Sequence, residues 1–203
     1  MFRLTHPLPK KYWVAVSGGI DSMAAFHWLY KESRKDNLLG MLHVNHKTGL
    51  YSDEAYDFVL SMKEYYGVTC KWHILEEEPP KGESREAWWR EKRYNFFHSF
   101  SEPVILAHNF DDCLEEYIMC TMVRGYPGTI KYSNKNCIRP FRLWKREDIE
   151  NYMNWHGYNW VEDPSNVDTK YKRNYIRHEL VPRIKELNPG VYNIVEKLMA
   201  DER

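Results

Sequence analysis

One segment near the start constrains the chain more than any other: Val14-Ala15-Val16-Ser17-Gly18-Gly19-Ile20-Asp21-Ser22. Tyr12–Val16 is a short apolar run that reads as a buried strand and ends at a Ser-Gly-Gly turn. Met23–Glu32 follows with Ala24, Ala25, Trp28 and Leu29 at helical spacing. Two glycines let the backbone reverse without a Cβ in the way, so its N–H groups converge on an anion. The helix N-terminus behind them adds free donors and partial positive charge. Ser17 and Ser22 can donate to phosphate oxygens. Asp21 would repel phosphate alone and makes sense if Mg2+ lies between them. The plainer alternative is an ordinary strand–helix turn capped by Ser22.

The alternation continues along the chain. Leu38–Val44, Val68–Leu75 and Pro103–Ala107 read as strands. Asp53–Tyr66, with Ser52 as N-cap and Gly67 as stop, reads as a helix, as do Arg85–Phe100 and Phe110–Val123. Strands alternating with amphipathic helices predict an α/β fold: a Rossmann-like open, mostly parallel sheet with flanking helices. After Gly125 the texture changes. Tyr126–Asn136 is turn-rich, Cys137–Pro140 is a last short strand, and Arg146–Trp155 is a helix stopping at Gly157. Glu162–Lys172 is a polar loop, Arg173–Leu187 a basic helix that Pro182 kinks or ends, and Pro189–Met199 a terminal helix. The expected division is 1–140 as the nucleotide-binding domain and 141–203 as a C-terminal helical extension of the same catalytic unit.

Composition narrows the function. Lys and Arg number 29 against 29 Asp and Glu, which argues against a polycation acting over its whole surface. No apolar stretch is long enough for a membrane span and no secretory signal is evident, so a cytoplasmic protein is expected. Cys70, Cys113, Cys120 and Cys137 form no C-x-x-C pair and read as reduced, buried thiols.

The first segment is neither a Walker A loop nor a G-x-G-x-x-G turn. It resembles the S-G-G-x-D-S pyrophosphate loop (PP-loop) of the N-type ATP pyrophosphatases. Those enzymes split ATP between the α- and β-phosphates and adenylate a carbonyl- or amide-like oxygen.

A second constellation, Ala107-His108-Asn109-Phe110-Asp111-Asp112-Cys113-Leu114-Glu115-Glu116, follows the fourth strand. Carboxylates spaced i, i+3 and i, i+4 share a helix face. They can hold Mg2+, grip an ammonium group, or simply complement the helix dipole. Their place at the carboxyl end of a strand favours a ligand site. The string resembles the A-H-x-x-D-D-Q-x-E-T signature of the tRNA(Ile)-lysidine synthetase family. Other blocks of that family appear in order: His43-Val44-Asn45-His46, Ser52-Asp53-Glu54-Ala55, Glu86-Ala87 with Arg90 and Arg93-Tyr94, and Arg139-Pro140 with Arg146-Glu147. The most specific is the last, Glu162-Asp163-Pro164-Ser165-Asn166, Asp168, Tyr171, Arg173-Asn174, Ile176-Arg177-His178 and Leu180.

The resemblance implies a cytoplasmic ligase with an adenine nucleotide alpha hydrolase-like fold. Such an enzyme uses ATP and Mg2+ to adenylate the C2 oxygen of the wobble cytidine in isoleucine tRNA with a CAU anticodon. L-lysine then displaces AMP to give lysidine. It implies catalytic roles for Asp21, Asp111, Asp112, Glu115 and Arg177. Ser17, Gly18, Gly19, Asp21, Ser22, His43, Asn45 and His108 would bind the nucleotide, and Asp21 and Asp112 the metal. Arg173, Asn174, Arg177 and His178 would contact RNA or complete the ATP site. A solvated helix face is the plain reading of the basic block Lys170–Lys185. Zinc at His43, His46 and His108 is disfavoured, since no H-x-x-x-H or cysteine partner supports it.

Cys113 and Glu116 replace the family's Gln and Thr, and Lys47-Thr48-Gly49-Leu50-Tyr51 lacks its usual Leu-Arg, so the lysine or base pocket would differ there. The competing readings are an adenylating enzyme that amidates or thiolates another acceptor, and a nucleotide-binding module without turnover. Family members carry C-terminal domains that grip tRNA. Here the length fits a catalytic domain with little appended, and a homodimer would extend the RNA surface.

Overall fold

The computed structural model describes residues 3–31 and 35–201; Glu32, which the sequence places in the first helix, lies outside them. Six strands form one sheet in the order β3-β2-β1-β4-β6-β5. They are β1 (Tyr12–Ala15), β2 (Leu38–Asn45), β3 (Cys70–Ile74), β4 (Val104–Ile105), β5 (Ser133–Asn134) and β6 (Cys137–Ile138). All neighbours are parallel except β5 and β6, which pair as a tight antiparallel hairpin at the edge. Val14 at the centre faces Met41 on one side and Ile105 on the other. The expected open, mostly parallel sheet is what the chain forms.

Alternation along β1 splits the core. Tyr12 and Val14 join Met23, Phe26, Met41 and Ile105 on one face. There α1 (Ile20–Lys31) and α5 (Arg146–His156) pack, with Val59 of α2 (Leu50–Tyr66) in the same cluster. Trp13 and Leu42 point to the other face, covered by Tyr94 and Phe97 of α3 (Arg85–His98). A third cluster joins α4 (Phe110–Ile118) to Ile176, just after α6 (Lys172–Tyr175), and to α7 (Val181–Leu187) and α8 (Val191–Ala200), through Phe110, Leu114, Val181 and Val195. Trp144, Ile149 and Met153 sit in the same cluster as β1. All four cysteines are buried and none is bridged.

Two local readings change and a third holds. Ser52 is not the N-cap of α2: the helix starts at Leu50 and Gly49 is its N-cap, at φ 127°, a backbone region open to glycine. The Ser52 hydroxyl instead donates back to the Gly49 carbonyl at 2.7 Å. The turn-rich stretch before Cys137 contains strand β5, too short to show a period. The basic helix is interrupted as expected near Pro182, by a wide turn over Ile176–Leu180 in which the Val181 N–H bonds to the Ile176 carbonyl. A similar wide turn, Met119–Arg124, ends α4. Among the described residues no helix is long and apolar enough to cross a membrane.

Candidate active site

The glycine turn lies at the carboxyl end of the central strand. The Val16 N–H donates to the Leu42 carbonyl at 2.8 Å, and the chain then reverses into α1. Gly18 has φ 92°, and a Cβ there would lie 3.2 Å from the Cβ of Ala55, so α2 rests directly on the loop. Ser22 Oγ accepts from the Ser17 N–H at 3.0 Å and donates to the Gly19 carbonyl at 2.9 Å. The two serine hydroxyls are 3.1 Å apart. Val161 N–H donates to the Gly18 carbonyl at 3.0 Å, which brings the segment after α5 over the turn.

Helix α4 begins beside this loop. Asn109 is its N-cap: its side-chain oxygen accepts from the Asp112 N–H at 2.8 Å, and the Asp112 carboxylate accepts from the Asn109 N–H at 2.9 Å. The Asn109 amide also donates to Asp21 Oδ1 at 2.9 Å. One asparagine therefore ties the loop carboxylate to the α4 carboxylate. The other oxygen of Asp21 accepts from Arg146 Nη1 at 2.7 Å. Burial, and then the nearby Asp112 charge, push the Asp21 carboxyl up to about 6, against the pull of Arg146 and Asn109.

Opposite stand two arginines. Arg173 Nε donates to Glu115 Oε2 at 2.8 Å, and Arg177 Nε to Oε1 at 2.6 Å. Arg173 also reaches Asp112 Oδ1 at 3.1 Å, with Arg177 3.5 Å from the same oxygen. Glu115 is only 3% exposed. Burial would raise the Asp112 carboxyl, but Arg173, the Asn109 N–H and Arg177 hold it below the usual range. Burial works against the charge on both guanidiniums, and the carboxylates outweigh it, keeping them more firmly protonated than free arginine.

Thus Ser17, Gly18, Gly19, Asp21, Ser22, Asp112, Glu115, Arg173 and Arg177 meet in one place. Asp111 does not join them. Its carboxylate accepts from the Arg146 N–H at 2.7 Å, from Lys185 Nζ at 3.1 Å and from the Tyr192 hydroxyl, fastening α4 to α5, α7 and α8. Asn174 donates to the carbonyls of Ser165 and Asp168, and the His178 ring bonds the Asn166 carbonyl at 2.7 Å. These two side chains shape the polar loop. Asn45 is buried and braces the β2–α2 loop, donating to Asp53 at 2.9 Å and accepting from the Lys47 N–H at 2.8 Å.

The three histidines flank the loop as neutral rings. His43 Nδ1 is 2.8 Å from the Val16 carbonyl, and burial lowers its pKa, partly offset by that bond. His46 is pushed down to about 4 by burial, Arg93 and His43. His108 falls to about 3, mainly by burial, with Arg139, Arg173 and Arg93 outweighing Asp112. His43 Nε2, His46 Nδ1 and His108 Nδ1 are buried and have no hydrogen-bond partner among the described residues.

Sequence reasoning missed Arg146 and Asn109. Arg146 was visible as the basic residue of the Arg146-Glu147 block, and Asn109 as the capping residue before two aspartates. The departures at Cys113 and Glu116 fall away from the site: Cys113 is fully buried in the α4 core, and Glu116 pairs with Arg124.

Asp21 and Asp112 suit a hard cation that binds through one or two carboxylates and completes its shell with water and phosphate oxygens. Such a cation would relieve both the burial and the Asp112 charge that push the Asp21 carboxyl up. Among the described residues no three His, Cys, Asp or Glu side chains form a cage for a metal ion.

Residues 3–184 match the PP-loop domain family. A tRNA(Ile)-lysidine synthase of Nitrosomonas europaea is 34% identical over 190 residues, 87% of this chain and 41% of that protein. One from Thermotoga sp. strain RQ2 is 34% identical over 200 residues, 92% of this chain and 48% of its own length. The chain therefore spans about half the length of the curated relatives it matches. The U34-tRNA thiolase NcsA from Methanococcus maripaludis superposes with a TM-score of 0.74 at 16% identity, covering 94% of this chain and 72% of that one. That likeness extends the shared fold beyond the reach of sequence. With its glycine turn, its sheet order and this match over nearly its whole length, the chain belongs to the PP-loop domain family.

Proposed function

We propose that this chain is the adenylating part of a cytoplasmic tRNA(Ile)-lysidine synthase, with 1–140 as its ATP-binding domain and 141–203 as a helical extension of the same unit. One observation carries the reading. Asn109 bonds both Asp21 of the loop shared by the superfamily and Asp112 of the A-H-x-x-D-D helix specific to the family. The arginines of the family's last block close over the same helix.

In this reading the N–H groups of Gly18–Ile20, with the hydroxyls of Ser17 and Ser22, cradle the pyrophosphate end of ATP. Asp21 and Asp112 hold Mg2+, which when bound neutralises charge on the departing pyrophosphate. The buried, unpaired edges of His43, His46 and His108 offer polar contacts to the nucleotide. The cytidine C2 oxygen attacks the α-phosphorus and the bond to pyrophosphate breaks. The deprotonated ε-amine of L-lysine then attacks C2, and the oxygen leaves with AMP. Arg177 and Arg173 stabilise charge growing on the α-phosphate. Glu115, saturated by both guanidiniums, positions them and is not free to grip the lysine ammonium. Asp111 fixes α4 in place. Arg173, Asn174, Arg177 and His178 build the RNA-facing wall from within, and a homodimer extends it.

The test is incubation of the protein with ATP, Mg2+, labelled lysine and an isoleucine tRNA with a CAU anticodon. Lysine incorporation with stoichiometric pyrophosphate release is expected. Pyrophosphate released only with another acceptor, and no lysine in the tRNA, overturns it.

A further inference from the structure

The basic stretch that looks uniform in sequence divides in the fold. Arg173 and Arg177 turn inward to Glu115, Lys185 is bound to Asp111, and Arg183 lies 3.9 Å from Glu179. Lys170 and Lys172 turn elsewhere: they line a groove of about 360 Å³ between the end of α4 and the 169–180 segment. Its floor is apolar, with Ile118, Ile176 and Leu180. Its rim carries Met122, 71% exposed, and Tyr175, 48% exposed. No Asp or Glu is among the lining residues.

Two further observations set this groove apart. Both of its walls contain wide helical turns, Met119–Arg124 and Ile176–Leu180, a backbone form that concentrates at functional sites. It also backs onto the arginine clamp. Ile176 lies between Arg173 and Arg177, and Ile118 lies one turn beyond Glu115 on α4. The same two helical walls thus present charge pairs to the carboxylate site and an apolar slot to solvent.

We propose that this groove holds one unpaired nucleotide of the RNA substrate, its base stacked on Tyr175 beside Met122 and its phosphates on Lys170 and Lys172. Cations over an apolar floor, without an acid, complement a base flanked by phosphates, and single-stranded RNA is read by such stacking. The groove lies at the small end of the range that encloses a drug-sized molecule, so it suits one base and not a protein face. The inference rests on the RNA-modifying reading and adds a contact surface outside the catalytic residues.

Fluorescence anisotropy with a labelled RNA stem–loop, against a fully paired duplex of the same stem, tests it. Wild type is expected to prefer the stem–loop. Tyr175→Ala weakens that binding by about tenfold, as loss of one base stack does, while Tyr175→Phe stays close to wild type. Lys170→Ala with Lys172→Ala shallows the salt dependence by about 1.4, roughly 0.7 for each single-strand phosphate that the protein no longer neutralises. ATP binding, measured alongside, stays unchanged and shows that the variants are folded. Variants that bind the stem–loop within twofold of wild type, or Tyr175→Phe as weak as Tyr175→Ala, overturn the groove assignment and leave the lysidine reading standing. Self-association lost in Tyr175→Ala with RNA binding intact also overturns it, and assigns the groove to a second copy of the chain. Wild type that incorporates no lysine and binds no RNA removes the reading beneath it.

Discussion

The two walls of the site are built on opposite plans. The phosphate-loop wall is made of backbone and two small hydroxyls, and its internal bonds join residues no more than five apart, as Ser17 to Ser22 does. The facing wall is made of long charged side chains joined across the chain: Arg173 to Glu115 over 58 positions and Arg146 to Asp21 over 125. A backbone cradle is set by strand, turn and helix, and needs no partner to hold its shape. A wall of buried ion pairs holds only while every partner is present, because a missing one strands a desolvated charge. The first plan gives geometry; the second gives a charge balance that substrates can disturb.

Substitutions separate the two plans, and the largest effect is expected where they touch. Asp21→Ala removes the carboxylate that reaches from the loop to Asn109 and Arg146, and ATP-dependent pyrophosphate release should fall by about 10³-fold. A rate near wild type would break the assignment of the loop. The neighbouring pair Asp111 and Asp112 comes next. Asp112→Asn should lower turnover by about 10²-fold. Asp111→Asn should leave turnover within a few-fold and lower unfolding stability by about 1–2 kcal/mol, as lost charged hydrogen bonds do. Equal kinetic effects would show that the two are not divided as the geometry has them.

Glu115→Gln tests the facing wall alone. It should destabilise by about 2 kcal/mol, below the full value for a broken buried pair because the outer edges of both guanidiniums meet water. In a chain of this size that is a fall of roughly 4–8 °C in melting temperature. The last test is one of pH and lies outside both walls, where His27 of α1 stacks on Tyr158, 3.8 Å between ring centroids, and bonds the Tyr66 hydroxyl at 3.0 Å. Burial, then Lys31 and His156, push His27 down to about 4 from 6.5. As pH falls below 6.5 the unfolded chain takes up a proton that folded His27 refuses until about 4, so stability is lost across that window. The loss is about 2 kcal/mol by pH 5. Urea unfolding of His27→Phe should show that part of the acid sensitivity gone.

The same contrast explains what could be read in advance. The loop was legible because its chemistry is local: glycines, serines and the aspartate act within one turn of chain. The parallel sheet followed from apolar runs alternating with amphipathic ones. The facing wall was legible only as residue types. Successive helical residues point about 100° apart, so which of Asp111 and Asp112 meets the loop depends on how α4 docks. A sequence does not carry that angle. Likewise Arg173, Asn174, Arg177 and His178 announce positive charge and polarity but not direction: the two arginines turn inward to Glu115, and Asn174 and His178 bond the backbone of the polar loop. Arg146 stood out only as part of the Arg146-Glu147 block, and its partner stayed hidden because Asp21 lies 125 positions away.

The reach of Arg146 to Asp21 also sets a schedule. A ribosome completes the loop early, and the guanidinium that meets its carboxylate is added 125 residues after Asp21. At cellular rates of elongation that is about 6–25 s. For that interval the nascent chain carries a nucleotide cradle with one wall. The charge balance at the loop therefore waits for α5, and a chain cut short before that helix leaves its most recognisable motif without its counter-charge.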